Sequence, residues 1–136
     1  MSRWLIRALR WVLGGWFLVF GALFLAARFG LPLDLPSDGN ARAAAFMAAL
    51  RETAFIAELM YLGFFAGGLA MLLDRTAPLG LVLLGPFVVV IFFYHLVLTR
   101  NWPFGSFWMA LFVALFWLYR GRLSALWSPV AGDGRQ

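Results

Sequence analysis

Long apolar segments separated by short polar ones make up most of the chain. Three of them contain no Asp, Glu, Lys or Arg: residues 11–27, 76–99 and 101–119. A fourth lies between Arg51 and Asp74 and contains two charged residues, Glu52 and Glu58. Because a helix needs roughly 20 residues to cross a hydrocarbon core about 30 Å thick, each segment predicts one transmembrane helix. The four predicted spans are residues 4–29, 52–73, 77–98 and 103–120.

The links between the last three predicted spans are short and contain residues that begin helices. Thr76 precedes Pro78 by two positions, and Asn101 precedes Pro103 by the same spacing. Thr and Asn are favourable N-caps, and proline is tolerated in the first helical turn because its missing N–H has no partner there. Such tight turns make consecutive helices antiparallel neighbours. The predicted fold class is therefore all-α, a transmembrane four-helix bundle.

The link after the first span is longer and has a different composition. Residues 30–40 include two prolines and two glycines, which prevent a continuous helix. Residues 41–51 follow, with Phe46 and Met47 on one side, and they predict a short interfacial helix between helices one and two. The alternative is one long tilted helix over residues 41–73.

We expect a single domain, residues 1–127, followed by a polar C-terminal tail at residues 128–136. The arginine-rich start of the first span allows another interpretation, a cleaved signal peptide. Its apolar run is longer than that of a signal peptide, and no clear A-x-A cleavage site follows it. A retained first span is therefore the prediction.

Composition argues against a soluble protein. Of the 136 residues, 64% are hydrophobic and 12% are charged, whereas soluble domains contain about 25% charged residues. A mean hydropathy of +0.88 leaves too few polar side chains to cover a water-facing surface. These values exclude a soluble enzyme, a disordered tail and a nucleic-acid-binding module.

The chain contains no cysteine and a single histidine, His95. Disulfides, thiolate metal sites and iron–sulfur ligation are therefore excluded. One imidazole cannot supply a bis-histidine haem site within one protomer. We predict no metal site and no catalytic residue.

All eleven basic residues are arginine, and their distribution predicts the orientation of the chain. An even number of spans places both termini on one side, together with seven arginines: Arg3, Arg7, Arg10, Arg75, Arg120, Arg122 and Arg135. The other side has four: Arg28, Arg42, Arg51 and Arg100. Since positive residues concentrate on the cytoplasmic side, both termini are predicted to be cytoplasmic.

Three arginines near the N-terminus lie on one helical stripe. Arg3, Arg7 and Arg10 are spaced to share a face, beside Trp4 and Trp11. Arginines near anionic lipids gain about 1 kcal/mol each, and tryptophan favours the membrane interface. We predict that these five residues anchor the chain to lipid headgroups, although a topogenic signal alone explains the arginines equally well.

Glu58 and His95 lie inside the second and third predicted spans. Because those helices are antiparallel about a turn near residue 76, the two side chains are expected at about the same depth. Ionisable residues within membrane spans often mark proton paths or ligand sites. One hypothesis is that Glu58 and His95 share a hydrogen bond or a proton. The alternative is that Glu58 reaches the headgroups or pairs with Arg51 or Arg100, while His95 occupies a packed polar spot.

Small residues in the predicted spans indicate close helix packing. Gly63 and Gly67 form a G-x-x-x-G pair, with Gly68 adjacent. Such a surface packs within the bundle or forms a seam between copies of the chain. Gly85 and Pro86 interrupt the third span and predict a kink.

Several segments of the sequence together resemble the DoxX-like family of small four-helix bacterial membrane proteins. The likeness extends over roughly residues 3 to 127 and is carried by these segments: 14–21, 31–36, 46–50, 67–75, 77–86 and 91–95. The resemblance implies a multi-pass protein of the bacterial inner membrane. The family is named after a thiosulfate:quinone oxidoreductase subunit, and most members look like accessory or uncharacterised proteins.

The chain also departs from the pattern of that family. Related chains tend to have a Glu shortly before the glycines of helix two, where this chain has Phe64. They tend to have an Asn before the histidine, where this chain has Val90. Of the Glu, Asn and His that related chains tend to have, this chain keeps only the histidine, His95. This departure favours a structural role over a redox role.

Three functions from different classes follow. The leading hypothesis is a non-enzymatic accessory or scaffold subunit of a membrane complex, without a cofactor. The second is a quinone-associated subunit of an oxidoreductase, in which Glu58 and His95 hold the ring. The third, a small-solute transporter or channel, has little support because the spans offer almost no polar lining. Expected partners are membrane lipids and either other membrane subunits or a second copy, and no nucleic acid.

Overall fold

The computed structural model describes residues 2–32 and 40–124. In these residues the chain forms five α-helices and one π-helical turn, and no strand, which confirms the all-α class. The helices are α1 (Arg3–Arg28), α2 (Ala41–Glu52), α3 (Ile56–Leu72), α4 (Ala77–Phe93) and α5 (Trp102–Ser124), and the π-helical turn is Tyr94–Leu98. The predicted polar tail and most of the first link lie outside the described residues.

Three of these helices are long and apolar enough to cross a membrane: α1, α4 extended by the π-helical turn, and α5. The pair α2 and α3 is long and apolar enough only when the two are counted together, and these two helices meet at a 96° bend. With 17 residues, α3 is about 26 Å long. That length is slightly less than the thickness of a typical hydrocarbon core.

A sharp break separates α2 from α3, so the alternative of one long helix over residues 41–73 is wrong. At the break Ala54 has a φ of 62°, a left-handed conformation that a helix interior does not contain. The Thr53 hydroxyl donates to the Leu50 carbonyl at 2.6 Å and accepts from the Ile56 amide at 3.4 Å. The Thr53 side chain therefore hydrogen-bonds to the backbone at the end of α2 and at the start of α3.

Helix α3 lies between α1 and α4, and α5 packs against α4 and α1. The core consists of aliphatic and aromatic side chains contributed by these four helices. Its fully or almost fully buried members include Leu13, Phe17, Met71, Leu81, Leu84, Val88 and Leu115. Many large apolar side chains point outwards, with exposed fractions such as 60% for Leu59 and 65% for Trp117. An apolar surface this extensive needs an apolar solvent or a partner.

Glycines allow the backbones of α1 and α3 to touch. A methyl group added at Gly68 would lie 2.5 Å from the Leu18 backbone nitrogen and 2.7 Å from the Gly14 carbonyl oxygen. A methyl at Gly21 would lie 2.6 Å from the Phe65 nitrogen. The predicted packing glycines of α3 thus contact other helices of the same chain: Gly68 contacts α1, and Gly63 and Gly67 contact Phe87 and Leu84 of α4.

Pro86 lies within α4, which continues on both sides of it to Phe93. Gly85 approaches α5, since a methyl group there would lie 3.4 Å from the Phe112 ring. The kink predicted at these two residues stays a prediction.

One residue of the predicted anchor stripe lies inside the protein, which corrects its assignment. Arg10 is 1% exposed, whereas Trp4 and Trp11 are largely exposed. Its Nη1 group pairs with the Asp74 carboxylate and lies 3.4 Å from the Tyr119 hydroxyl, and its Nη2 group donates to the Leu72 carbonyl at 3.3 Å. Arg10 therefore joins α1 to the α3–α4 link and α5 rather than contacting headgroups.

Two further arginines complete this cluster around Asp74. The Arg7 guanidinium lies 3.8 Å from the second carboxylate oxygen, and Arg122 donates to the Asp74 backbone carbonyl at 3.2 Å. The hydrogen bond from Arg10 holds the Asp74 pKa below its ordinary 3.8, helped by the surrounding positive charge and opposed by desolvation. The start of α1, the α3–α4 link and the end of α5 thus meet at one end of the bundle.

The first prediction concerns the contact between α1 and α3. Gly68→Ala should lower the free energy of unfolding by about 1–3 kcal/mol, because a methyl group there meets rigid backbone. Gly15→Ala is the matched control, since a methyl at Gly15 meets no atom within 4 Å. Thermal unfolding of each variant in detergent measures the difference. Equal stability of the two variants would contradict this packing.

The second prediction concerns the pH dependence of stability. A carboxylate whose pKa is lowered by folding contributes stability above the unfolded pKa, and the contribution is lost as pH falls through the folded pKa. We expect the thermal unfolding midpoint of the wild type to decrease as the pH is lowered below 3.8. Asp74→Asn should be less stable at neutral pH and lose this acid dependence. Glu52→Gln, outside the cluster, is the control, and it should retain the wild-type acid profile.

Candidate functional site

A cavity of about 570 Å³ lies between α1, α2, α3 and the π-helical turn. We call it the aromatic cavity, because rings form much of its wall. Its apolar lining consists of Trp16, Phe17, Phe20, Phe24, Phe46, Met47, Leu50, Met60, Phe64, Val90, Ile91 and Phe104. Its polar lining consists of Tyr61, Tyr94, His95, Thr99 and Asn101.

Stacked rings form the α1 side of this cavity. The Trp16 indole stacks on Trp108 with ring centroids 4.8 Å apart, and Trp108 is buried behind it. Phe24 lies parallel to Tyr61 with centroids 4.5 Å apart. Because these aromatic side chains have few rotatable bonds and are supported from behind, the cavity presents flat, preformed apolar surfaces.

The polar end of the aromatic cavity is built by the π-helical turn. The Thr99 amide donates to the Tyr94 carbonyl at 3.1 Å, a wider turn than an α-helix has. Gly105 lets α5 approach this turn, since a methyl group there would lie 2.9 Å from the His95 Cβ. The Phe104 ring then contacts the imidazole edge to face, with centroids 4.6 Å apart.

A chain of hydrogen bonds around Thr99 predicts the tautomer of His95. The Thr99 hydroxyl donates its single proton to the His95 carbonyl at 3.3 Å, and its oxygen accepts from the Asn101 amide. The imidazole Nδ1 lies 3.0 Å from the same oxygen, and we expect Nδ1 to be the donor in that contact. In that neutral tautomer the lone pair of the ring lies on Nε2.

Helix α2 covers the aromatic cavity and is fixed at its start. The Asn40 side chain caps the helix by accepting from the Ala43 amide at 2.9 Å, and it donates to the Leu98 carbonyl at 2.7 Å. On the inner face Phe46 contacts the Tyr94 ring, with centroids 5.8 Å apart. The helix predicted to lie at the interface thus forms one wall of the cavity.

A second cavity of about 390 Å³ lies where α1 ends and α3 begins. We call it the charged cavity, and it is lined by Phe24, Ala27, Arg28, Arg51, Ala57, Glu58 and Tyr61. The Arg28 Nε donates to Glu58 Oε1 at 2.8 Å. Arg28 is thus the ion-pair partner of Glu58, and Arg51, one of the partners weighed from the sequence, lines the same cavity.

The structure places the two predicted polar residues in different cavities. His95 lines the aromatic cavity with Thr99 as a partner, and Glu58 lines the charged cavity with Arg28. Tyr61 lines both. Phe24 does so as well. The predicted sharing of a proton between Glu58 and His95 stays a prediction.

Sequence reasoning missed Arg28, Thr99 and Trp16 as site residues. Thr99 follows His95 by four positions, a spacing that brings helical side chains together and was therefore available as a signal. Arg28 lies thirty positions before Glu58, and only the pairing of α1 with α3 brings them together. For Trp16, no local pattern distinguishes a cavity wall from a lipid-facing ring.

Comparison of the chain with protein-family models, curated proteins and solved structures finds no match. The resemblance to the DoxX-like family therefore stays a prediction from its motifs. The function must be argued from the geometry of the two cavities.

The third prediction tests the His95 tautomer, and the single histidine makes its signals unambiguous. Nitrogen-15 NMR of histidine-labelled protein near neutral pH should show Nδ1 protonated. Thr99→Val removes the accepting oxygen, so the Nε2-protonated tautomer should increase. Thr76→Val is the matched control, because Thr76 donates to the distant Ala70 carbonyl. A wild-type spectrum with Nε2 protonated would contradict the hydrogen-bond chain.

Proposed function

We propose that this protein is an integral membrane protein with four spans whose aromatic cavity binds a lipophilic ring compound of the quinol and quinone class. The fourth span is α3, with α2 lying along the membrane interface beside it. The proposed location is the bacterial inner membrane with both termini cytoplasmic. The proposed role is binding as a non-enzymatic accessory subunit, which holds the ligand for a partner in the membrane.

The arrangement of the two ends of the bundle supports this topology. Arg10 and Arg122 hold the start of α1 and the end of α5 to Asp74. Arg28 and Glu58 join the opposite ends of α1 and α3. The first of these ends carries the larger number of arginines, as expected of a cytoplasmic side.

The single observation that carries the proposal is the aromatic cavity with its polar end. Its volume of about 570 Å³ lies within the range of roughly 300–1,000 Å³ that is usual for small-molecule sites. Flat apolar walls suit a planar ring and an alkyl tail. The polar residues gathered around His95 give such a ring a fixed orientation.

The glycine contacts bear on the competing scaffold role. A seam between subunits needs its small residues on an outer surface. Gly67 and Gly68 instead contact Leu84 and the α1 backbone within the same bundle. A scaffold that assembles through these glycines therefore loses its main support, and the ligand-binding accessory role is the better proposal.

The fourth prediction tests the ligand. Purified full-length protein in detergent should bind a hydroquinone carrying a ten-carbon tail, with saturable quenching of tryptophan fluorescence. His95→Phe should raise the Kd of the hydroquinone by about tenfold, since one hydrogen bond at a polar anchor is lost.

Two tryptophan variants provide a matched control for this experiment. Trp16→Leu removes a cavity wall and should weaken binding, while Trp11→Leu changes an exposed residue of the same helix and should leave the Kd unchanged. Non-saturable quenching, equal in all variants, would indicate simple partition into the detergent and would reject the proposal.

A further inference from the structure

The charged cavity presents more positive than negative charge. Arg28 and Arg51 contribute two guanidinium groups to its lining, and Glu58 contributes one carboxylate. In the described contacts each arginine uses only its Nε, Arg28 toward Glu58 and Arg51 toward the Met47 carbonyl at 3.2 Å. The terminal guanidinium nitrogens of both arginines can therefore donate to another acceptor, and an anionic oxygen is the strongest such acceptor.

The same cavity also requires a hydrogen-bond donor. Glu58 accepts from Arg28 through Oε1, whereas Oε2 is buried and has no donor from any other described residue. A buried acceptor without a partner is unfavourable, and more so when it is charged. A ligand that places an N–H group beside Glu58 removes this deficit.

A ligand that meets both requirements is a zwitterion, with an anionic oxygen group next to a protonated amine. We propose that the charged cavity binds the headgroup of an ethanolamine phospholipid. Its phosphate accepts from Arg28 and Arg51, and its ammonium donates to Glu58. The inference depends on the proposed membrane location and is independent of the ligand proposed for the aromatic cavity.

The surroundings of the charged cavity favour a lipid over a free phosphate compound. The cavity lies at the ends of α1 and α2 and at the first turn of α3, where apolar helices meet polar links. Three large apolar side chains near it in sequence are exposed, Phe29 by 84% and both Phe55 and Leu59 by 60%. Acyl chains attached to the headgroup would cover these apolar side chains, whereas a soluble phosphate compound would leave them exposed to solvent.

The experiment compares headgroups on one set of acyl chains. Delipidated full-length protein in detergent is titrated with ethanolamine, choline and glycerol phospholipids, and binding is followed by native mass spectrometry. Choline keeps the charge but has no N–H group, and the glycerol headgroup keeps the phosphate but has no cation. The ethanolamine lipid should bind with a Kd about tenfold lower than either of the others, because both lack the charge-assisted hydrogen bond to Glu58.

Two variants with matched controls assign the preference to this cavity. Glu58→Gln should abolish the preference for ethanolamine over choline, and Arg51→Gln should raise the Kd of all three phospholipids. Glu52→Gln and Arg42→Gln alter exposed residues of α2 outside the cavity lining, so both should bind as the wild type does. If a variant fails to fold, the wild-type headgroup comparison decides the question without it.

Equal binding of the three lipids would overturn the proposal. Soluble phosphoethanolamine serves as a further arm, and binding as tight as that of the lipid would reject the lipid source. Flotation of the protein with liposomes tests the membrane location separately. Failure to float would reject the proposed membrane function itself, whereas flotation without headgroup selectivity would reject only this inference.

Discussion

The buried guanidinium of Arg10 is the interaction on which the arrangement of the bundle depends. A charge that is 1% exposed must be paired and hydrogen-bonded, since an unpaired one is prohibitively unfavourable in an apolar interior. Its partners lie in two distant parts of the chain: Leu72 and Asp74 lie where α3 ends, and Tyr119 lies in α5. The pairing therefore fixes the axial positions of α1 and α5 relative to α3 and α4.

That register determines which small residues face each other. One turn beyond Arg10, Gly14 meets Gly68, and two turns further Gly21 meets the α3 backbone at Phe65. Close contact along this line places the neighbouring rings of α1 toward the inside, where Trp16 rests on Trp108. The walls of the aromatic cavity are thus a consequence of the helix register.

The two cavities arise because α3 is short and α2 turns away from it. A straight continuation of α3 would not let α2 lie across the aromatic cavity, and the 96° bend at Ala54 brings the inner face of α2 over it. The charged cavity lies beside the same bend, where Arg51 and Glu58 come together. One backbone feature therefore shapes both the aromatic cavity and the charged cavity, and Phe24 and Tyr61 line both.

The sequence by itself determined the helical class, the approximate helix limits and the separate short helix. These depend on local properties, namely apolar length and the turn-forming link of residues 30–40. The Thr76 side chain, predicted as an N-cap, instead donates to the Ala70 carbonyl and makes no capping hydrogen bond to α4. The sequence also singled out Glu58 and His95, because ionisable residues are rare in apolar segments. Only the tertiary structure decided that Arg10 is buried, that Arg28 pairs with Glu58, and that the two polar residues line different cavities. Those facts depend on the register between helices distant in sequence, and apolar helices with weak amphipathic patterning carry little local information about which face meets which neighbour.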